Sequence, residues 1–269
     1  MALIQQHHPF DPDRLPAPAL GIAAALADHD SGLHWHQRSQ LLYAPQGCMT
    51  VTLAQQWLIL PPTRSVWIPG GIAHRVQLRG RVAYRSLYFD PALTAAMPPQ
   101  ATVLAVNPLL AAIVERIAHW PLDYALAQPH ARDLLAVLIN ELGEAQRENT
   151  QLRLPQDKRL AAWLATLPES DELPALAALA QRLHLHAKTL TRLFQRETGL
   201  SYQQWCQQWR LMRAIELLAS LPSVSAVAQR LGFSSDSAFI AFFRQFTGTT
   251  PRRYMQGGCK STTAHNAPL

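Results

Sequence analysis

The clearest pattern of apolar and polar positions lies between Ser223 and Tyr254. Apolar residues recur there at intervals of three and four, and serine or glycine stands where each run starts or stops. The pattern predicts two short helices, one running from a Ser223 cap to Gly232 and the next from a Ser235 cap to Gly248. The buried face of the second helix is predicted to consist of Phe239, Phe242, Phe243 and Phe246.

The opposite face of the second predicted helix has a polar start, a small apolar patch and an arginine. Such a face suits the DNA major groove, where N-terminal residues reach base edges, apolar groups meet thymine methyls and arginine meets phosphate or guanine. On this stretch alone, an ordinary helical hairpin explains the pattern equally well. The candidate DNA contacts on this face are Asp236, Ser237, Ile240 and Arg244.

A second copy of the pattern, between Leu173 and Ser220, favours DNA binding over a plain hairpin. It has a short amphipathic helix, a turn at residues 184–186 and a second helix ended by Gly199. A longer helix over about residues 202–219 then joins the two units. Successive major grooves on one face of B-DNA are ~34 Å apart, so this arrangement predicts two reading heads at a fixed distance. The outward residues of this earlier unit are Lys188, Thr191, Arg192 and Gln195.

Three motifs in this part of the chain agree with one family in order and spacing. They are LTRLFQRETG at residues 190–199, Gly232-Phe233 followed by Ser235, and GTTPRRY at residues 248–254. Together they resemble the signature of the AraC/XylS family of bacterial transcription regulators. The resemblance covers about the last third of the chain and implies an all-α DNA-binding domain with two helix-turn-helix units. The base contacts that it implies are those of Lys188, Thr191, Arg192, Asp236, Ser237 and Ile240.

The first ninety residues have a different, strand-like pattern. Short apolar runs alternate with turns rich in proline and glycine, and this spacing predicts a small barrel or jelly roll. From residue 107 to residue 146 the period becomes helical, and these helices either pack on the barrel or pair with a second subunit. The candidate strands are 22–27, 40–44, 48–54, 57–60, 65–68, 74–78 and 82–89.

Three histidines stand out within the predicted barrel. His34 and His36 are two residues apart, so they point to the same side of a strand, and His74 follows a Pro-Gly-Gly turn at residues 69–71. The spacing H-x-H-x3-Q-x6-G, followed by P-x-G-x2-H, resembles the two cupin motifs. In cupins these histidines, together with a glutamate, hold a divalent metal inside the barrel. Gln40 stands where that glutamate is expected.

The cupin resemblance leaves two interpretations of the histidines open. Three imidazoles suit Zn, Ni, Cu or Fe, with Gln40 as a weak ligand or as a neighbour that orients a ligand. Alternatively, the barrel is a metal-free sensor whose histidines hydrogen-bond a small molecule or each other. The missing carboxylate weakens a metal site and removes the general base that a cupin enzyme would use.

The positive charge is concentrated in the segment with the two helical units. Residues 175–256 contain ten lysines and arginines and three acidic residues, whereas the net charge of the whole chain is only +6. A basic module joined to a nearly neutral one is typical of a DNA-binding domain fused to a sensor.

Length and composition agree with a two-domain globular protein. The chain has 269 residues, of which 48% are hydrophobic, but no apolar run long enough to span a membrane and no signal-peptide pattern at its start. Its three cysteines are widely spaced and suit a reducing cytoplasm.

We therefore expect an α+β two-domain protein with an N-terminal cupin-like jelly roll and a C-terminal all-α domain. The expected boundaries are 1–100 for the sensor barrel, 101–150 for a helical extension that offers a dimerisation surface, 151–157 for a linker, 158–256 for the DNA-binding domain and 257–269 for a disordered tail.

The expected function is that of a cytoplasmic transcription regulator, either activator or repressor. It binds double-stranded DNA and responds to a small molecule or a metal, and the resemblance also suggests RNA polymerase and a second copy of the chain as partners. The segments PPTRSVWIPGGIAHR and VAYRSLYFD resemble a subgroup that commonly regulates a neighbouring transporter gene. We assign no catalytic residue. The rival hypothesis is a metal-dependent cupin enzyme fused to a DNA-binding domain, and the absent glutamate counts against it.

Overall fold

Two antiparallel β-sheets form most of the N-terminal half of the chain in a computed structural model. The structure describes residues 10–148, 151–167, 170, 172–221 and 223–256, so the predicted tail at 257–269 lies outside it. The strands are β1 (Ala19–Ala27), β2 (Ser39–Gln46), β3 (Met49–Leu53), β4 (Gln56–Leu60), β5 (Arg64–Ile68), β6 (His74–Leu78), β7 (Arg81–Phe89), β8 (Thr102–Ala105), β9 (Arg147–Glu148) and β10 (Gln151–Arg153).

The two sheets enclose an apolar core. The larger has the order β1-β7-β2-β5-β8-β9 and the smaller β10-β4-β3-β6. Because side chains alternate across a strand, Leu42 and Ala44 of β2 join the core between the sheets, whereas Leu41 and Tyr43 join a second core beneath helices. The predicted jelly-roll-like fold of the N-terminal domain is confirmed.

Helices α1 (Pro108–Ala118), α2 (Tyr124–Ala127) and α3 (Ala131–Glu144) follow the first eight strands. α1 packs directly on β1 and β7. The close approach depends on Gly21, because a Cβ atom there would lie 2.0 Å from the carbonyl oxygen of Ile117. The predicted stripe of α1 therefore packs on the barrel of its own chain, except for Leu109, which is 52% exposed, and α3 packs on α1.

The C-terminal part is helical, as predicted. The caps also follow the prediction: the side chains of Ser223 and Ser235 accept hydrogen bonds from helix N-terminal amides, and Gly199 and Gly248 end their helices in the left-handed region. The helices are α4 (Ala161–Thr166), α5 (Leu176–Arg182), α6 (Ala187–Thr198), α7 (Tyr202–Ser220), α8 (Val224–Arg230), α9 (Asp236–Thr247) and α10 (Pro251–Met255).

Three expectations drawn from the sequence differ from the structure. Strand β8 lies beyond the expected end of the barrel at residue 100, and β10 occupies the first part of the expected linker 151–157. Both strands are very short and have no hydrophobic pattern of their own. They are defined by pairing, β8 with β5 and β10 with β4. Phe246, expected in the buried stripe of α9, is 36% exposed, because the aromatic stripe is wider than the surface that its neighbours cover.

None of the helices in the described part of the chain has the length and apolarity that a bilayer span requires.

We predict that Gly21→Ala lowers the free energy of unfolding by about 1–3 kcal/mol, because the new methyl group forces α1 away from β1. Chemical denaturation followed by circular dichroism measures the change. The matched control is Gly143→Ala in α3, where a Cβ atom meets nothing within 4 Å. This control should be neutral or stabilising by up to about 1 kcal/mol, and equal losses in the two variants would contradict the packing argument.

Candidate functional site

The two helix-turn-helix units are held by equivalent hydrogen bonds. In the first unit the amide of Leu185 donates to the carbonyl of Ala180, and in the second the amide of Phe233 donates to that of Ala228, each at 2.9 Å. Both bonds reach back past the end of the first helix and turn the chain towards the second. The repeat inferred from the sequence is therefore a repeat of backbone geometry.

Both turns pass through the left-handed region of backbone conformation. Gly232 has φ +69°, and His184 occupies the matching place in the first unit with φ +53°. A non-glycine residue in this region is strained. The first turn is also one residue shorter. Three residues separate Leu183 from Ala187 in the first unit, whereas four separate Leu231 from Asp236 in the second.

The second helices of the two units, α6 and α9, each have 12 residues and present the predicted contacts at matching positions. Lys188 matches Ser237, Thr191 matches Ile240, and Gln195 matches Arg244. Arg192 of the first unit matches an alanine of the second, whereas Asp236 is the first residue of α9. The structure exposes every predicted contact residue except Ile240, which is half-buried.

Three of these side chains already have partners within the domain. The Thr191 hydroxyl donates to the carbonyl of Ala187 and the Gln195 amide to the carbonyl of Gly199, both at 3.0 Å. Asp236 accepts a short hydrogen bond from the hydroxyl of Ser225 in α8. Sequence reasoning missed this link between α8 and α9, because the two residues are eleven positions apart and lie on different helices.

The three predicted histidines converge inside the barrel. Backbone pairing places His34 opposite His74, with amide-to-carbonyl distances of 3.0 and 2.8 Å, and the amide of Gly71 donates to the carbonyl of His36 at 2.8 Å. The turn fits because Gly70 has no Cβ atom, which would lie 1.9 Å from the Gln37 carbonyl oxygen. One potential ligand atom from each histidine lies within 4.8 Å of the other two.

Main-chain carbonyl groups orient the imidazoles. The Nδ1 atom of His34 lies 3.1 Å from the oxygen of Gly32, that of His36 lies 2.5 Å from the oxygen of Arg38, and that of His74 lies 2.9 Å from the oxygen of Ile72. A carbonyl oxygen only accepts, so each Nδ1 carries the proton and each Nε2 presents a lone pair.

The Nε2 atoms of the two buried histidines lack donors. That of His74 is buried without a hydrogen-bond partner, and that of His36 faces the carboxamide oxygen of Gln40 at 3.3 Å, where both atoms are acceptors. The Gln40 amide is held by donation to the Ser86 hydroxyl at 2.8 Å. A cation or a hydrogen-bond donor between these atoms would satisfy the arrangement.

Burial keeps the imidazoles of His36 and His74 neutral at pH 7. Desolvation lowers the pKa of His74 to about 4, and it also lowers the pKa of His36. The neutral form is the one that coordinates metals.

Two further polar residues, Ser86 and Tyr88, belong to this site. The Tyr88 ring lies 5.2 Å from the His36 ring, and burial raises the pKa of its hydroxyl. Both residues lie on one face of β7, as the alternation of that strand predicts. Nothing in the sequence connected that face to the histidines, because only the pairing of β7 with β2 brings them together.

Comparisons with known proteins agree with both halves of the structure. A family model described as "AraC-like ligand binding domain" matches residues 17–161, and one described as "Helix-turn-helix domain" matches residues 179–257. A solved structure of the DNA-binding domain of AdpA in complex with a target DNA is 31% identical, covers 38% of this chain and 92% of that chain, and has a TM-score of 0.34.

Curated relatives extend the match to nearly the whole chain. The HTH-type transcriptional regulator NimR of Escherichia coli K12 is 31% identical over 249 residues, which cover 91% of this chain and 90% of NimR. The HTH-type transcriptional activator RhaS of Escherichia fergusonii is 36% identical over 125 residues, which cover 46% of this chain and 43% of RhaS. The ligand-binding family model spans more than half of this chain, and the match to NimR covers nearly all of both chains. The chain therefore belongs to the AraC family of DNA-binding transcription regulators.

Proposed function

We propose that this AraC-family regulator reads DNA with both α6 and α9 and responds to an effector held at the histidine cluster. The observation that carries the first part is the pair of exposed helix faces at matching positions of two equivalent units. The family membership supports it, and the excess of basic residues in the same segment supplies attraction to the phosphate backbone.

The two reading heads differ in chemistry. The first presents Lys188, Thr191 and Arg192, which suit hydrogen bonds to guanine and contacts to phosphate. The second presents Ser237 and the half-buried Ile240, whose apolar surface suits a thymine methyl group. The first head therefore contributes more of the hydrogen-bonded base recognition, and the second more shape and methyl recognition.

Four of the predicted contact residues have individual roles in this proposal, which depend on their position along the helix or on the bonds that they already make. Arg244 lies two turns along α9, where it suits phosphate contact. Asp236 is held by Ser225 and accepts from a cytosine amino group only if that bond is shared. Gln195 and Thr191 reach bases after releasing, or while sharing, their bonds to main-chain carbonyl groups.

We predict that Arg192→Ala weakens specific DNA binding by about 1–3 kcal/mol and relaxes one or two base preferences, because an exposed arginine of α6 is removed from the groove. Selection of duplexes from a random pool, followed by titration of the selected sequence, measures both effects. The contrasting variant is Arg252→Ala, an exposed residue of α10 that we expect to contact phosphate. It should weaken specific and non-specific binding alike and lower the salt dependence of binding. An unchanged base preference in Arg192→Ala would show that α6 is not the first recognition helix.

For the effector, we propose a late first-row divalent metal ion at the three histidines. The buried Nε2 atom of His74 without a partner and the opposed acceptors of His36 and Gln40 support this choice. Neutral imidazole nitrogens suit Zn, Ni, Cu and Fe, and hydrogen bonds from Nδ1 to carbonyl groups are the usual support of such ligands. The alternative occupant is a small molecule that donates hydrogen bonds to the same atoms.

We predict that chelator-treated protein binds about one Zn²⁺ or Ni²⁺ ion per chain and that His74→Ala weakens this binding at least about tenfold. Isothermal titration calorimetry measures the affinity directly. The matched control is His119→Ala at the C-terminal cap of α1, where the imidazole lies outside the cluster and bonds to the carbonyl of Glu115. Equal binding by His74→Ala and the wild type would place the metal elsewhere, and no binding by the wild type would favour the small-molecule alternative.

The proposal for the target gene rests on the resemblance of residues 61–75 and 82–90 to the subgroup described above. We propose that the chain acts in the cytoplasm on the promoter of a neighbouring transporter gene, in contact with RNA polymerase and as a homodimer where two sites are present. Deleting the regulator should change transcription of the adjacent transporter gene but not that of an unrelated transporter. Equal transcript levels in both strains under inducing metal would contradict this target.

A further inference from the structure

We propose that the outer face of the smaller sheet is the surface through which the histidine cluster controls the DNA-binding domain. This surface, the docking face, binds helix α7 of the same chain, and the adjoining start of β5 in the larger sheet contacts α10. The inference rests on the proposed role of the cluster as the effector site, and it names how occupancy of that site reaches the reading heads.

The docking face shares an apolar core with the helical domain. The buried residues Cys48, Ile59 and Leu152 belong to the same cluster as the buried residues of α4 to α10, and Trp57 packs against that cluster. Strand alternation explains the arrangement, since Leu58 and Leu60 point into the barrel core while Ile59 points out. The two domains are therefore packed against each other with a continuous hydrophobic interior.

One rung of the smaller sheet connects the histidine cluster to α7. His74 pairs with Leu53, Leu53 pairs with Gln56, and Gln56 pairs with Arg153 across neighbouring strands. The carbonyl oxygen of Arg153 accepts a hydrogen bond of 2.7 Å from the indole nitrogen of Trp205, whose ring is fully buried. A shift of His74 thus acts on the strand that holds Trp205.

Strand β6 supplies a second connection. His74 is its first residue, and Arg79 follows its last residue. The guanidinium of Arg79 lies 3.5 Å from the carboxylate of Glu216, which also pairs with Arg213. Glu216 lies about three turns beyond Trp205 along α7, so the barrel holds this helix at two separated points.

A third contact reaches the end of the second helix-turn-helix unit. The Thr63 hydroxyl donates to the carbonyl of Tyr254 in α10 at 3.2 Å, and the Arg64 guanidinium lies 4.9 Å from the centre of the Tyr254 ring. Arg64 is itself buried and paired with Glu148 of β9. The N-terminal domain therefore touches the connecting helix through the docking face, and it touches the helix that follows the second head through the start of β5 in the larger sheet.

None of these contacts covers the candidate DNA contacts, which are exposed except for the half-buried Ile240. The docking face consequently acts on the orientation of the heads and not by blocking them. Because packed interfaces switch between discrete arrangements, a small displacement at His74 favours one orientation of α7 over another. Trp205 is in this sense a positioning residue.

Trp205→Phe tests the proposal, because phenylalanine keeps an aromatic ring in the core but removes the N–H donor. The probe is a duplex selected from a random pool by the wild-type protein, and the readout is its dissociation constant with chelator and with added Zn²⁺ or Ni²⁺. The matched control is Trp163→Phe, which changes a buried ring 5.7 Å from that of Trp205 in the same aromatic cluster. A thermal melt checks folding, and if Trp205→Phe does not fold, Glu216→Gln replaces it.

We expect metal to change DNA affinity by about fivefold or more in the wild type and in Trp163→Phe, and by less than about twofold in Trp205→Phe. A full metal response in Trp205→Phe would overturn the proposal while leaving the effector site intact.

If the wild type shows no response to either metal, the metal-sensing proposal fails, and metal-free proteins decide the coupling. His74→Ala, Trp205→Phe and the double variant then form a thermodynamic cycle on DNA affinity. The connection is supported if the effects of His74→Ala and Trp205→Phe are non-additive while those of His74→Ala and Trp163→Phe are additive. Additive effects in both cycles would overturn it.

Discussion

Burial of one face of α7 is the interaction on which the rest of the structure depends. Trp205 lies at the centre of it, with the ring of Phe194 from α6 at 5.3 Å and that of Trp163 from α4 at 5.7 Å. The same helix joins the two helix-turn-helix units and carries the contacts with the barrel. Its position therefore sets the separation of the reading heads and the relation of both heads to the sensor.

The histidine cluster illustrates how a polar site is built inside an apolar barrel. Each imidazole uses Nδ1 to satisfy a main-chain carbonyl, which leaves its Nε2 atom with a lone pair. A buried acceptor without a donor is costly, and the fold tolerates this cost at His74. Such an arrangement is expected of a site that a ligand completes.

The repeat in the DNA-binding domain preserves backbone geometry more closely than surface chemistry. Both turns use the same hydrogen bonds and a left-handed residue, yet the exposed faces differ: polar and basic on α6, and mixed on α9. A shared frame with different faces allows two half-sites of different sequence to be read at a fixed spacing. Under the proposed function, the two half-sites of the operator differ in sequence without any change in the scaffold.

The sequence by itself determined the helices of the DNA-binding domain, because their signals are local. Caps at Ser223 and Ser235, left-handed glycines at 199 and 248 and stripes of period 3.6 lie within a few residues of the structure that they specify. The three histidines were also visible, from a two-residue spacing and a Pro-Gly-Gly turn. Neither His34 nor His36 lies in a strand, however, and the bridge between His34 and His74 brings the cluster together. Tertiary structure alone decided the rest: strand β10 where a linker was expected, the Ser86–Gln40 and Ser225–Asp236 bonds, and the bond from Trp205 to the Arg153 carbonyl. Each of these joins residues from different strands or helices. No pattern along the chain reports such a contact, because it exists only after the barrel has closed and the helices have packed.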